Sequence, residues 1–483
     1  MQLKRPILVG GLGLSASLGL MNIVGHSPLG DGSGLLGMVV LGSGLWWLKQ
    51  RSPSSAVVKA SLALGPVDRD AVEKALAEVE ARLDTLVKEL PAEIKTEQSQ
   101  PIWTQIAQQR QAIAQTLTHL DRETLKFAVV GNKTTGKTAL VSQLSESWQK
   151  SQPTVIAITE VEGEDALPPV DTDLVVFVVA ADLMQSELQR LHSLLRAGHR
   201  VQLAYNKQDQ LTPLDRQSVM QRIQTRVEDL GIGVSAIAAQ PGPVKVRRHQ
   251  ENGEVEESFE QPASQLESLT ERLTQLVETE AQQLVMTTTL RQAKALKTDV
   301  QTLLNGQRRQ QAMPLVEQMQ WIAAGSAFAS PLASLDLLAA TAINAQMIVD
   351  LGAVYGQKFS LEQAKAAAGT LAELLVKLGL VEFSTQALGS LLKTHAATYV
   401  AGGALQGVSA AYLTRVVGLS LIDFFEEQSM LTPEKQQFSF GEMGNRLQTL
   451  FQTTKRAGLQ GFVQQAIAHL PPLPQSKPVA AAQ

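Results

Sequence analysis

Lys126-Phe-Ala-Val-Val-Gly131-Asn-Lys-Thr-Thr-Gly136-Lys137-Thr138-Ala-Leu-Val-Ser-Gln-Leu144 is the stretch that decides the fold. A short apolar, β-rich run ends in the pattern G-x-x-x-x-G-K-[ST], and a helix-compatible run follows directly, the setting that a phosphate cradle requires. Gly131 and Gly136 let the backbone curl so that the N–H groups of Asn132, Lys133, Thr134 and Thr135 face an anion. The helix N-terminus behind them adds a favourable dipole. Lys137 then supplies a point charge for β- and γ-phosphates, and the Thr138 hydroxyl is the expected Mg2+ ligand.

Short apolar runs continue to alternate with helical ones at Thr154-Val-Ile-Ala-Ile-Thr, Asp173-Leu-Val-Val-Phe-Val-Val, Val201-Gln-Leu-Ala-Tyr and Gly233-Val-Ser-Ala-Ile-Ala. This alternation predicts a parallel sheet covered by helices, an α/β domain over residues 123–280. Ligands of such sheets sit outside the carboxyl ends of the strands, and the glycine-rich pattern falls at one of those ends. A β-hairpin insert is expected at 243–260, with Asn252-Gly253 as a two-residue turn. That turn would pair Arg248 with Glu257, Lys245 with Glu260 and Val246 with Phe259.

Asn206-Lys207-Gln208-Asp209 directly follows the predicted strand ending at Tyr205. With the phosphate pattern upstream, this N-K-x-D run resembles the guanine reader of P-loop GTPases of the translation-factor-like, Era-like class. The resemblance implies a GTP/GDP site with Mg2+ in which Asp209 accepts hydrogen bonds from the guanine N1 and N2 groups. It also implies that Lys207 lies along the base and that Asn206 ties this loop to the phosphate loop. Ser235-Ala236, at the end of the next strand, resembles the loop whose backbone N–H reaches guanine O6.

The pattern departs from that class between Thr138 and Leu174. An active member carries a switch threonine that reaches Mg2+, then an Asp-x-x-Gly turn that senses the γ-phosphate. Here the interval leaves room for one helix, one strand and a short loop, so the first switch and its edge strand are expected to be missing. Glu160-Val-Glu-Gly163 is the nearest stand-in for the second switch. Glu160 would hold Mg2+ through a water, or else these are acidic loop residues with no such role. No catalytic residue is identified, and hydrolysis is expected to be slow or partner-dependent.

Around this domain the chain changes character. Residues 1–51 hold two apolar, glycine-rich runs, flanked by Lys4, Arg5, Lys49 and Arg51 with no Lys or Arg between them. They read as a transmembrane hairpin with both termini cytoplasmic, in a bacterial inner membrane or, given the glutamine-rich composition, a thylakoid membrane. A signal peptide is disfavoured by the second apolar run and its basic flank. Residues 52–122 carry helical periodicity and are expected to form a stalk of two antiparallel helices joining membrane to domain.

Beyond Glu278 the sequence is helical to the end. Trp321–Tyr355, Leu388-Gly-Ser-Leu-Leu-Lys and the small-residue run Ala396–Phe425 resemble the domain of unknown function of YcjF-type bacterial membrane proteins. That domain often accompanies a P-loop GTPase and is expected here over 281–430. Lys358, Lys365, Lys377 and Lys393 lie between its two most apolar segments, which favours a bundle beside the membrane over a second spanning pair. Asp336, Asp350, Arg415 and Asp423 are candidates for an internal polar site or for ordinary caps and ion pairs. An amphipathic helix is expected over 431–470 and a disordered tail over 471–483.

The whole chain has 483 residues, 44% of them apolar, no cysteine and a formal net charge of -4. Several cores are therefore expected, disulfides and thiolate metal sites are excluded, and no basic field attracts nucleic acid. The expected partners are membrane lipid, a second copy or another protein. Together these features point to a membrane-anchored GTP-binding regulator, with a non-hydrolysing pseudo-GTPase scaffold and a dynamin-like membrane remodeller as the rival readings.

Overall fold

The computed structural model describes residues 67–96, 101–163, 166–249, 255–329, 333–379, 381–382, 386, 403–431, 462 and 465. The hairpin expected at 1–51 and the tail at 471–483 lie outside them. Helices α1 (Arg69–Glu89) and α2 (Pro101–Thr118) lead into strand β1 (Leu125–Gly131) and helix α3 (Lys137–Gln143). Then come β2 (Ile156–Glu160), β3 (Leu174–Val179), α4 (Gln185–Arg196), β4 (Arg200–Tyr205), α5 (Pro213–Val227) and β5 (Val234–Ala236). A hairpin of β6 (Val244–His249) and β7 (Val255–Glu260) precedes α6 (Glu267–Ala329), α7 (Ala333–Val354), α8 (Leu361–Lys377) and α9 (Gly403–Met430).

The five strands form one sheet in the order β2-β1-β3-β4-β5, and every neighbouring pair is parallel. β3 reads Leu-Val-Val-Phe-Val-Val and is buried throughout, as a central strand covered on both faces must be. Leu174, Val176 and Val178 face a core with Leu140, Leu144 and Trp148 from the α3 side and Leu269, Leu273, Leu276, Val277, Leu284 and Val285 from α6. Phe177 points the other way, where Arg190 of α4 lies 6.0 Å above its ring. β2 is an edge strand that runs parallel to β1, so among the described residues no antiparallel edge strand precedes it, as the short interval after Thr138 predicted.

Helix α6 is 63 residues long, about 95 Å at 1.5 Å per residue. It passes through residues 280 and 281, where the sequence suggested a domain boundary. Its middle section supplies Ala293, Val300 and Leu304 to a core shared with Val72, Val79 and Leu83 of α1 and Ile102 and Ile106 of α2. The two early helices thus share a core with α6. They are antiparallel to each other, with Arg110 bonded to Glu80 and Asp84 and Arg69 to Asp121. Both pack on α6, to which α1 runs parallel: Glu78 meets Lys297, Arg82 meets Gln301 and Glu89 meets Arg308. Their apolar stripes were legible in the sequence, but the third helix that covers them lies some two hundred residues downstream.

The last section of α6 contributes Ala312, Val316 and Met319 to a core with Met347, Ile348 and Leu351 of α7, Leu371 of α8 and Val417 and Leu421 of α9. Between the second and third cores lies a polar layer. Arg308 is bidentate to Glu89, both contacts at 2.8 Å. Arg309 binds Asp423 at 2.7 Å and Glu426 at 3.0 Å, and the Tyr355 hydroxyl donates to Glu426 at 3.1 Å. Of the four residues considered for an internal polar site, the three whose side chains are described do not gather. Asp423 is taken by Arg309, Asp350 accepts from Gln346, Arg415 donates to Gln320, and the Asp336 side chain is outside the described set. Of the segment 431–470 beyond the end of α9, Leu431, Phe462 and Gln465 are described; Phe462 is buried between Trp321 and Tyr412.

The hairpin corrects the predicted register. Arg247 pairs with Glu257, Lys245 with Phe259 and Val246 with Ser258, one residue away from the pairing expected for a two-residue turn. His249 and Val255 are the last pair, which leaves an odd number of residues between them, and a two-residue turn with symmetric pairing needs an even number. Charge matching survives the slip because Glu257 meets both Arg247 and Lys245.

At the amino ends of β3 and β4 a guanidinium from α6 closes the sheet. Arg291 donates to the carbonyls of Val170, Thr172 and Gly198. His199, beside it, is buried, and burial, with the Arg291 charge adding, lowers its pKa to about 3.

Replacing Arg308 with Leu leaves Glu89 without its bidentate partner and is expected to lower unfolding stability by about 3 kcal/mol, with Arg308→Lys intermediate, as read by chemical denaturation. His199 stays neutral in the folded chain while an unfolded histidine protonates near pH 6.5, so its contribution favours unfolding as pH falls from there toward 3. His199→Gln is expected to remove roughly 2 kcal/mol of the stability lost between pH 6.5 and 5, measured by denaturant midpoints across that range.

Candidate functional site

Because all five strands are parallel, the ends of β1, β2, β4 and β5 open on one side of the sheet, and the sequence patterns meet there. Gly131 closes β1 where an added Cβ would strike the Val178 carbonyl, so the loop can start only from glycine. Gly136 has φ +89° and sits against the Asn206 amide, which excludes any side chain. Thr134 adopts a left-handed φ of 63° with a β-branched side chain, a strained choice for this loop.

Asn206 links the two loops. Its Nδ2 donates to the Thr135 carbonyl at 2.8 Å and its Oδ1 accepts from the Ala239 N–H at 2.9 Å. A buried side chain thus ties the N-K-x-D turn to the glycine-rich loop after β1. Lys207 turns the chain through φ 62°, and the Gln208 N–H then reaches the Ile237 carbonyl at 3.2 Å. Asp209 accepts from the Gly242 N–H through Oδ2 at 3.1 Å, whereas its Oδ1 is buried with no hydrogen-bond partner among the described residues.

The Lys137 ammonium donates to the Asn132 carbonyl at 3.0 Å and lies 3.8 Å from Glu160. The Thr138 hydroxyl donates to Glu160 Oε2 at 2.7 Å. Glu160 closes β2 beside Val129 of β1, so the strand pairing itself carries this carboxylate to the loop. A hydroxyl and a carboxylate oxygen meeting at one point are hard donors of the kind that suits Mg2+, whose remaining ligands are phosphate oxygens and water. Lys133 is exposed at the outer rim of the loop.

Ser235 and Ala236, the pair for which the resemblance implied a contact to guanine O6, stand at the end of β5. They lie within β5, paired with Ala204 and Tyr205, and the Ser235 hydroxyl is drawn inward to the Ser268 carbonyl. The loop that reaches Asn206 comes later, at Ala239.

Glu187 is a neighbour that the sequence did not single out. It is the third residue of α4, 4% exposed, and it accepts from the Met184 N–H and from Asn132 Nδ2, each at 2.9 Å. Burial pushes its carboxyl up from the usual glutamate range while the Met184 N–H pulls it down. An S/T-x-x-E cap would have marked this helix start, but Met184 stands in the Ser/Thr place.

Residues 291–466 match the family model described as a domain of unknown function, DUF697. The match opens at Arg291, inside α6, and overlaps the segment that resembles the YcjF-type domain. No curated protein matches the chain. A solved structure described as "An oligomerised bacterial dynamin pair provides a mechanism for the long-range sensing and tethering of membranes" is 12% identical, with 83% of this chain and 81% of that chain covered. Its TM-score of 0.24 is too low to carry an argument, so the α/β assignment rests on the sheet itself.

The strained Thr134 gives a test of the loop without a ligand. Thr134→Gly is expected to stabilise the chain by about 1 kcal/mol, seen as a raised thermal midpoint.

Proposed function

We propose that this chain is a membrane-anchored guanine-nucleotide-binding protein with slow or partner-dependent hydrolysis. The observation that carries the reading is the single side chain of Asn206, which joins the N-K-x-D turn to the phosphate loop, beside an Asp209 oxygen that is buried and unpartnered. Guanine offers two adjacent donors, N1–H and the N2 amino group, and a carboxylate with a free buried oxygen is their natural acceptor. Adenine offers no such pair. The backbone of the loop at Gly131–Thr135 would cradle the phosphates, Lys137 would supply charge to them, and Thr138 with Glu160 would hold Mg2+. The magnesium ion supplies charge neutralisation and orientation of the β- and γ-phosphates when bound.

The departures argue against fast turnover. Glu160 stands where an aspartate would sense the γ-phosphate, and no Gln or His lies in the expected water-positioning place of the segment that follows it. That favours a regulator or a non-hydrolysing scaffold over a remodeller driven by rapid cycles.

Membrane attachment is read from residues 1–51, outside the described set. Among the described residues one helix segment, Gln406–Met430 in α9, is long and apolar enough to cross a membrane by length and composition. It is 72% buried within the chain and bonded through Asp423 and Glu426 to α6, which supports its reading as a bundle helix.

The test is displacement of fluorescent GTP from the full chain with Mg2+ present. GTP and GDP are expected to compete at micromolar concentration and ATP at least a hundredfold more weakly, with binding lost in Lys137→Ala. Asp209→Asn should exchange guanine for xanthine, whose C2 carbonyl accepts where guanine donates; equal competition by ATP would sink the assignment.

A further inference from the structure

Resting on that nucleotide reading, we infer that Glu187 is a positioning residue of the phosphate loop, acting through Asn132 to set where the Lys137 ammonium stands. Glu187 has one oxygen fixed by its own helix, since Oε2 accepts the Met184 N–H at 2.9 Å. The other, Oε1, accepts the Asn132 amide at 2.9 Å. The residue is 4% exposed, so neither bond competes with bulk water.

Asn132 is the hub of the loop. Its backbone carbonyl accepts from Lys137 Nζ at 3.0 Å and from Thr135 Oγ1 at 2.9 Å. Its side chain is tied to α4. The loop is thus held from two directions: Asn206 grips the Thr135 carbonyl from the base-reading side, and Glu187 grips Asn132 from the helix after β3. The second grip is made on Asn132 itself, the residue whose carbonyl Lys137 rests against, whereas Asn206 reaches that carbonyl only through Thr135. A carboxylate suits the place because both of its partners are donors. A glutamine there would turn its own NH2 toward one of them.

The consequence is selective. Lys137 serves the phosphates beyond the first, whereas Asp209 serves the base. Loosening Asn132 is therefore expected to weaken GDP while sparing GMP, which has no β-phosphate for Lys137 to meet. A defect of the fold would weaken both alike.

The experiment measures GDP and GMP by displacement from the full chain, with Mg2+, for wild type, Glu187→Gln, Asn132→Ala and the double variant, and follows the thermal midpoint of each. The expected result is a loss of about tenfold in GDP affinity for Glu187→Gln with GMP changed less than about twofold, and no further loss in the double variant over Asn132→Ala. Should Glu187→Gln fail to fold, Asn132→Ala removes the same hydrogen bond from the other side and is read in its place. Parallel loss of GDP and GMP, or an unchanged GDP affinity in a folded variant, overturns the inference and leaves the nucleotide reading intact. A wild-type chain that binds neither nucleotide overturns both.

Discussion

Helix α6 buries three successive sets of side chains in three different cores, which place one face of the sheet, the two early helices and the last three helices. Leu269 to Val285 close one face of the sheet, Ala293 to Leu304 cover α1 and α2, and Ala312 to Met319 anchor α7, α8 and α9. Most of the stability of this 63-residue helix comes from the packing of its apolar residues along its length. Pro314, inside it, has no N–H for the Gln310 carbonyl, a loss tolerated where neighbouring helices pack around the site.

The same helix carries arginines that are buried or half-buried between its cores. Arg291 satisfies three carbonyls at the amino ends of the sheet, on the side away from the phosphate loop. Arg308 and Arg309 satisfy Glu89, Asp423 and Glu426 between the two helical cores. Planar guanidinium groups with several donors suit these places, because a buried charge is tolerated only when its hydrogen bonds are complete. Each arginine fixes the register of α6 against a different part of the chain.

The candidate site shows a second economy. The parallel sheet brings four strand ends to one side, and short polar side chains then knit the loops: Asn206 joins the loops after β1, β4 and β5, Glu160 joins β2 to the start of α3, and Glu187 joins α4 to the phosphate loop. Glycine at 131 and 136 is required by contact with Val178 and Asn206, so the loop sequence and the neighbouring strands constrain each other. Glu160 is delivered to the loop after β1 by strand pairing with Val129.

The sequence by itself determined the local elements whose signals are short-ranged. Strand, glycine turn and helix around Gly131–Thr138 lie within twenty residues, and the apolar stripes of α1 and α2 repeat within single turns, so periodicity and backbone permissiveness suffice. The bond of Asn206 to the glycine-rich loop spans seventy-one positions, and the pattern around Asn206 was read through a resemblance, not through local periodicity. Tertiary structure decided the rest. Glu187 is fifty-five positions from Asn132, and nothing in either neighbourhood announces the pair. Ladder pairing with β4 and the bond from Ser235 to the Ser268 carbonyl set where β5 ends, at Ser235 and Ala236. The hairpin register slipped by one because charge matching tolerates either pairing, and the packing of α1 and α2 on α6 depended on a surface two hundred residues away. Contacts between distant segments are chosen by which buried faces and hydrogen bonds can be completed together, and that choice exists only in the folded chain.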